Sequence, residues 1–342
     1  MHRRIESAMT MMTDPRHFKL RLFIEGNIIG VATGMVIALF RYLLELSEEY
    51  LPVLYRWLPE HIVWIPVWFL ALFLCSWVLY RIVRKDGMTS GSGIPQIKGI
   101  LLGEMDMNWA RVLVLKFTGA VLGIGAGMSL GREGPSVQLG ACLGQGLGRL
   151  THRSYAESHY LLTAGAGAGL AAAFNAPLAG VIFCLEELTK NFSAFVLMGA
   201  ISAAVTATTV TQYFFGMQPV FHMGVVPVID TGHMYFLLIL LGAFVGLLGL
   251  AFNPMLTRSQ DFYKKVPARW RPVVPLFCAG VLGFVLPQIL GGGSRLVDSL
   301  VVTDYTLAFL VLLLAAKFLF TMVCFGSGVP GGIFLPMLVL GS

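Results

Sequence analysis

Long stretches of this 342-residue chain contain no charged residue at all. The uncharged stretches cover residues 62–80, 158–185, 191–229, 231–257, 272–294 and 318–342. Each is comparable to or longer than the roughly 20 apolar residues that a helix needs to cross a bilayer. Because a membrane-spanning helix satisfies its backbone hydrogen bonds internally, this pattern predicts an all-α polytopic membrane protein.

Composition and charge agree with this prediction and exclude other classes of protein. Only 12% of the residues are charged, about half the share that is usual in soluble domains. The net charge of +6 does not indicate nucleic-acid binding, because the cations form no basic stripe with interleaved aromatic residues. The five cysteines and seven histidines are scattered and form no metal-ligand or nucleophile motif. We therefore expect no enzyme activity, no nucleic-acid partner and no metal or other cofactor.

The basic residues predict how the chain enters the membrane. Five cations precede residue 22, so the positive-inside tendency places the segment 1–21, with a short amphipathic helix, in the cytoplasm. A long helix over 22–48 then carries Glu25 and Arg41, and the basic cluster within 81–85 returns the chain to the cytoplasmic side. This topology predicts a multi-pass protein of the cell (inner or plasma) membrane.

Closely spaced glycines and prolines break the apolar pattern, and one spacing recurs. Gly, three residues, then Pro is found at 91–95, 131–135 and 326–330. Proline suits the first turn of a helix and the glycines leave backbone amides approachable, so each motif predicts a helix N-terminus. Three such ends that meet inside the membrane, with donors such as Gly93, Ile94 and Gly134, would bind an anion.

The motifs also indicate an internal duplication. The second and third motifs each follow an apolar helix with a Lys-Phe pair, at Lys116 and at Lys317. Such repeats are typical of transporters built from two inverted halves. We predict a first half over 22–215 and a second over 216–342, with Lys116 as a supporting residue of the site.

Three carboxylates stand out because an uncompensated charge inside a membrane is costly. Glu133 lies in the second motif, where an ionised side chain would occupy the anion site and a protonated one would leave it. The alternative is a glutamate that only caps its own helix. Glu186 and Glu187 end a helix that begins near Pro177. They are either proton-relay groups or interfacial residues beside Lys190, and their spacing does not decide between the two.

Four segments stand out in this order along the chain: GSGIPQIKG at 91–99, GREGPSVQLGA at 131–141, AAFNAPLAGVIFCLEEL at 172–188 and GSGVPGGIFLPML at 326–338. Together they resemble the signatures of CLC chloride channels and proton-coupled chloride antiporters. The resemblance covers nearly the whole chain from residue 22. It implies an inverted repeat of broken, tilted helices whose N-termini converge on a mid-membrane anion site, normally in a homodimer with one anion pathway per subunit.

The resemblance also implies roles for single residues. Ser92 is similar to the serine whose hydroxyl contacts the central anion, as in chloride-preferring members, and the backbone amides of Ile333 and Phe334 are similar to its ligands. Glu133 resembles the gating glutamate and Arg132 its neighbouring arginine. Glu187 resembles the inner proton glutamate of the exchangers, so that chloride and protons are the expected partners of a bacterial-type antiporter.

One departure from the family pattern concerns the C-terminus. Members of the family continue with further helices, one of which supplies a tyrosine hydroxyl to the anion, whereas this sequence ends at Ser342. We therefore expect a C-terminally truncated member. The alternatives to proton-coupled antiport are a passive anion channel of the same family and a non-functional fragment.

Overall fold

The computed structural model describes residues 15–190, 192–217, 232–303 and 305–342. Within these ranges the chain is helical apart from short turns and one isolated antiparallel bridge. The first helix, α1, begins at Pro15 and ends at Trp57, so it is longer at both ends than the predicted 22–48. Most of the predicted cytoplasmic segment, residues 1–14, lies outside the described residues.

Eight helices make up the described chain as far as residue 217. After α1 (Pro15–Trp57) they are α2 (Trp64–Lys85), α3 (Ile94–Leu101), α4 (Trp109–Gly125), α5 (Glu133–Leu150), α6 (Tyr155–Phe174), α7 (Pro177–Phe183) and α8 (Ala194–Phe215). A π-helical turn, Cys184–Thr189, continues α7. As the sequence predicts, a new helix begins at Pro177, because Asn175 ends α6 in the left-handed conformation.

Five more helices follow from residue 232. They are α9 (Gly232–Lys265), α10 (Val273–Val285), α11 (Ser294–Val302), α12 (Leu307–Gly326) and α13 (Phe334–Gly341). In the described part of the chain, α1, α2, α8, α9 and α12 are long and apolar enough to cross a membrane. The uncharged stretch 158–185 is not one of these spans, since it contains the break between α6 and α7.

Glycines bring α5 and α6 into direct backbone contact. A Cβ atom on Gly140 would lie 2.0 Å from the carbonyl oxygen of Gly165, and one on Gly169 would lie 2.1 Å from that of Ser136. Small residues of this kind let membrane helices approach closely. Glycines at 165 and 169 therefore serve packing, and the tight contact fixes the position of α5, which carries Glu133 at its start.

Candidate functional site

The first glycine motif forms a non-helical turn just before α3. Gly91 and Gly93 have φ angles of 62° and 95°, in the left-handed region that favours glycine. Between them lies Ser92, whose Oγ accepts a hydrogen bond from the backbone N–H of Ile94 at 3.3 Å. The turn is held by Lys116 of α4, whose Nζ donates to the carbonyl oxygens of Gly91 and of Thr89, at 2.6 and 3.0 Å.

The same arrangement is found in the second half of the chain, before α11. Gly291 and Gly293 have φ angles of 66° and 100°. Lys317 of α12 donates to the carbonyl oxygens of Gly291 and Ile289, at 2.8 and 2.9 Å. Both lysines are fully buried. A buried ammonium group needs several acceptors to offset its lost hydration, and here backbone carbonyls freed by the glycine turns supply them.

Backbone hydrogen bonds join the two halves at these turns. Gly131 and Gly332 exchange both their N–H···O bonds at 2.7 Å, in an antiparallel bridge. The N–H of Gly91 donates to the carbonyl oxygen of Gly328 at 3.3 Å, and the N–H of Gly331 donates to that of Gly91 at 3.0 Å. The segments that precede α3, α5 and α13 therefore lie side by side.

One motif does not begin a helix as the sequence predicts. Gly326 is the last residue of α12, and Pro330 lies in the link before α13, which begins only at Phe334. A different Gly-x-x-x-Pro sequence, Gly332–Pro336, spans the start of α13. It matches Gly131–Pro135, which spans the start of α5 in the same way. In both helices proline is the third residue, where its missing N–H costs no intrahelical bond.

Glu133 is the first residue of α5 and only 2% exposed. Its carboxylate folds back over Gly131 and Gly332, since Cβ atoms there would lie 2.1 and 3.2 Å from Oε2. Neither oxygen makes a hydrogen bond of standard geometry to a described residue. The backbone N–H groups of Arg132, Glu133 itself and Leu335 are nevertheless near enough to interact with it electrostatically. The N-termini of α5 and α13, with their backbone N–H groups, thus face one buried carboxylate.

Ser92 and Gly134 bring the start of α3 against the start of α5. A Cβ atom on Gly134 would lie 2.8 Å from both the Cβ and the carbonyl oxygen of Ser92. Gly93 touches Gln138, one turn into α5, whose Nε2 donates to the carbonyl oxygen of Met88 at 2.8 Å. Gln138 was not among the predicted site residues, although an amide side chain inside the uncharged, glycine-rich stretch 134–148 is a detectable signal.

Ile333 and Phe334 lie at the start of α13, opposite α5. Ile333 is the N-cap residue and is half-buried, while the Phe334 side chain is 52% exposed. The Phe334 ring packs edge-on against that of Phe174 at the end of α6, with 5.5 Å between the ring centres. The structure therefore brings together the starts of α3, α5 and α13, which carry Ser92, Glu133 and these two residues.

Arg132 is buried, and its side chain reaches α1. Its Nη1 lies 3.5 Å from Oε1 of Glu45, which also pairs with Arg41 at 3.2 Å. Arg41 stacks in addition on the ring of Phe215, at 4.2 Å from its centre. Glu45 was not among the predicted site residues. The separation of four residues between Arg41 and Glu45 within an apolar helix was the available signal.

Glu186 and Glu187 lie apart from this group, on the exposed π-helical turn after α7. Glu187 forms an ion pair with Lys98 in the last turn of α3, and about half of its side chain is exposed. Within the described residues Glu186 has no ion pair. Helix α3 therefore begins beside Ser92 and ends at the partner of Glu187.

Comparison with known proteins gives consistent matches. The family model described as voltage gated chloride channel matches residues 71–342. The H(+)/Cl(-) exchange transporter ClcA of Vibrio cholerae serotype O1 (strain ATCC 39541 / Classical Ogawa 395 / O395) is 36% identical over 332 residues, covering 92% of this chain and 69% of that protein. The ClcA of Vibrio parahaemolyticus serotype O3:K6 is 35% identical over 94% of this chain and 71% of its own length.

Solved structures agree with the sequence matches. A slow cyanobacterial Cl-/H+ antiporter superposes with a TM-score of 0.86 at 30% identity, over 94% of this chain and 77% of that one. A CLC-type fluoride/proton antiporter, with a TM-score of 0.78 at 24% identity over 94% of this chain and 79% of its own, supports the fold. Together with the apolar helices, these matches confirm a multi-pass membrane protein that is not an enzyme. The chain belongs to the CLC family.

Proposed function

We propose that this protein exchanges chloride for protons across the membrane, with Glu133 as the gate. The observation that carries the proposal is the buried Glu133 carboxylate among the backbone amides of α5 and α13, next to Ser92. Helix N-termini bind anions through free N–H groups and a partial positive charge. An ionised Glu133 and a chloride ion would therefore compete for one site.

This competition couples the two ions. The amide groups attract the ionised carboxylate, and protonation of Glu133 removes that attraction, so the side chain can leave and chloride can enter. Ser92, Gly93, Ile94 and Gly134 would contribute from the first half, and Ile333 and Phe334 from the second. Amide dipoles suit transport because they attract an anion without the strong retention expected of a full positive charge.

Glu187 would transfer protons to the site from the cytoplasmic side. It is exposed enough to exchange protons with water, and its ion pair with Lys98 connects it to the last turn of α3, the helix that begins just after Ser92. Its neighbour Glu186 is exposed on the same turn, so the pair offers a matched comparison. Glu187→Gln should slow proton flux and keep chloride flux, whereas Glu186→Gln should leave both unchanged.

We infer that the two halves, 22–215 and 216–342, are inverted repeats. The repeated glycine turns and lysine contacts support this, as does the antiparallel bridge between Gly131 and Gly332. Transporters with such repeats bind their substrate where the halves meet. We further propose an N-terminus in the cytoplasm, a location in the inner or plasma membrane and a homodimeric assembly.

The proposal is tested by measuring both ions in liposomes that contain the purified protein. A chloride gradient should drive protons against their own gradient. Glu133→Gln should abolish proton movement because an amide does not titrate, and Glu60→Gln, an exposed glutamate far along the sequence from the motifs, should preserve it. Chloride flux that moves no protons would instead identify a passive channel, and proton transport that persists in Glu133→Gln would refute the gate.

A further inference from the structure

Helix α2 presents one face to the surroundings instead of to the protein. Leu70, Leu74 and Trp77 on this face are 57%, 55% and 52% exposed. Their spacing of three and four residues places them in one stripe along the helix. Since α2 is long and apolar enough to span a bilayer, this stripe is suited to contact with lipid.

The stripe ends in three cations, Arg81, Arg84 and Lys85, all exposed. None of them has an ion pair with a carboxylate in the part of the chain that the structure describes. Asp86, the next residue, caps the following turn by accepting a hydrogen bond from the N–H of Met88 at 3.1 Å. The end of α2 therefore carries a net positive charge, with three cations beside the single carboxylate of Asp86.

Aromatic rings hold two of these cations in place. The guanidinium carbon of Arg81 lies 5.0 Å from the centre of the Trp77 ring. Arg84 donates a hydrogen bond to the hydroxyl of Tyr80 at 3.2 Å and lies 5.9 Å from the centre of its ring. Cation–π contacts fix a guanidinium group without neutralising it, so these charges stay available to an anion.

The cations border a groove of about 660 Å³ between α2 and α4. Its other walls are apolar and come from Trp77, Val78, Ile82 and, on α4, Leu115. A helix of 22 residues is about 33 Å long at 1.5 Å per residue, so its last turn reaches the level of the lipid headgroups. The groove thus combines cations at headgroup depth with an apolar surface toward the bilayer centre.

We propose that this groove binds an anionic phospholipid, with its phosphate at Arg81 and Lys85 and an acyl chain along Val78 and Leu74. The net positive charge selects an anionic headgroup over a zwitterionic one. The apolar stripe below the cations selects a molecule that carries hydrocarbon chains over a soluble phosphate. By the positive-inside tendency the bound lipid belongs to the cytoplasmic leaflet.

The test is a lipid titration of the purified full chain in a neutral detergent, followed by native mass spectrometry. Phosphatidylglycerol should bind more tightly than phosphatidylcholine with the same acyl chains. Each cation near an anionic lipid contributes about fivefold in affinity, so Arg81→Gln with Lys85→Gln should weaken phosphatidylglycerol binding about 25-fold. Arg81→Lys, which keeps the charge, should retain most of the affinity.

The matched control is Arg258→Gln with Lys265→Gln, which removes two exposed cations from α9 and leaves the groove intact. It should keep the preference for phosphatidylglycerol. Equal binding of the two lipids by the unchanged protein would overturn the proposal, as would an equal loss in the control. Displacement of phosphatidylglycerol by millimolar glycerol 3-phosphate would also overturn it, because the groove would then recognise the headgroup alone.

Discussion

Replacement of Gly165 by Ala tests the packing that holds α5, the helix that begins at Glu133. A Cβ atom at this position would lie 2.1 Å from the carbonyl oxygen of Gly140, whereas ordinary contacts begin near 3.4 Å. The obstacle is backbone and cannot rotate away, so α5 and α6 would have to separate by about 1.3 Å. Overpacking of a well-packed core costs about 1–3 kcal/mol, and we expect a value at the upper end.

The assay is thermal unfolding of the purified protein in detergent, with chloride efflux from liposomes as the functional readout. Gly246→Ala is the matched control, since a Cβ atom at Gly246 of α9 meets nothing within 4 Å. The control should unfold at the same temperature or slightly higher, because alanine favours a helix by about 1 kcal/mol over glycine. The Gly165→Ala variant should unfold at a lower temperature and should release chloride more slowly. Equal unfolding temperatures and efflux rates for the two variants would refute the close contact between α5 and α6.

Four further changes have definite expected outcomes. Lys317→Met should destabilise the protein by about 2–5 kcal/mol, because it leaves the carbonyls of Ile289 and Gly291 unpaired. Lys116→Met should cost about 1–3 kcal/mol, because it leaves the carbonyl of Thr89 unpaired while that of Gly91 still accepts from the N–H of Gly331. Equal thermal stability to the unchanged protein would contradict these contacts. Gly93→Ala should reduce chloride binding measured by calorimetry, since its φ of 95° and its contact with Gln138 both exclude a side chain. Ser154→Ala removes a capping box from α6 and should cost about 1 kcal/mol in thermal unfolding without changing the chloride-to-proton ratio.

The sequence was sufficient to predict the elements that depend on local chemistry. Uncharged stretches identified the membrane character, and the helix that begins at Pro177 followed from Asn175 and proline chemistry. The Lys-Phe pairs at Lys116 and Lys317 predicted a repeated element, and in the structure each buried lysine donates to backbone carbonyls of a glycine turn. These features are encoded within short segments, so their spacing was informative.

Contacts between distant segments could not be predicted in this way. The bond from Arg132 to Glu45 joins α5 to α1, and the pairing of Glu187 with Lys98 joins two helices far apart in sequence. The assignment of Pro330 to a helix start was wrong because Gly-x-x-x-Pro occurs twice near the end of the chain. Only the pairing of Gly131 with Gly332 shows which copy corresponds to the second motif.

That correspondence explains which parts of the proposed site are duplicated and which are not. The backbone is repeated, since α5 and α13 begin alike and the turns at Gly91 and Gly291 are held by equivalent lysines. The side chains differ, with Phe334 at the position that corresponds to Glu133. Two carboxylates at one set of amides would repel each other, and both could not be ionised there together. A site with backbone donors from both helices and a single carboxylate can therefore hold either one anion or that carboxylate, and under the proposed function this exclusive choice couples chloride to protons.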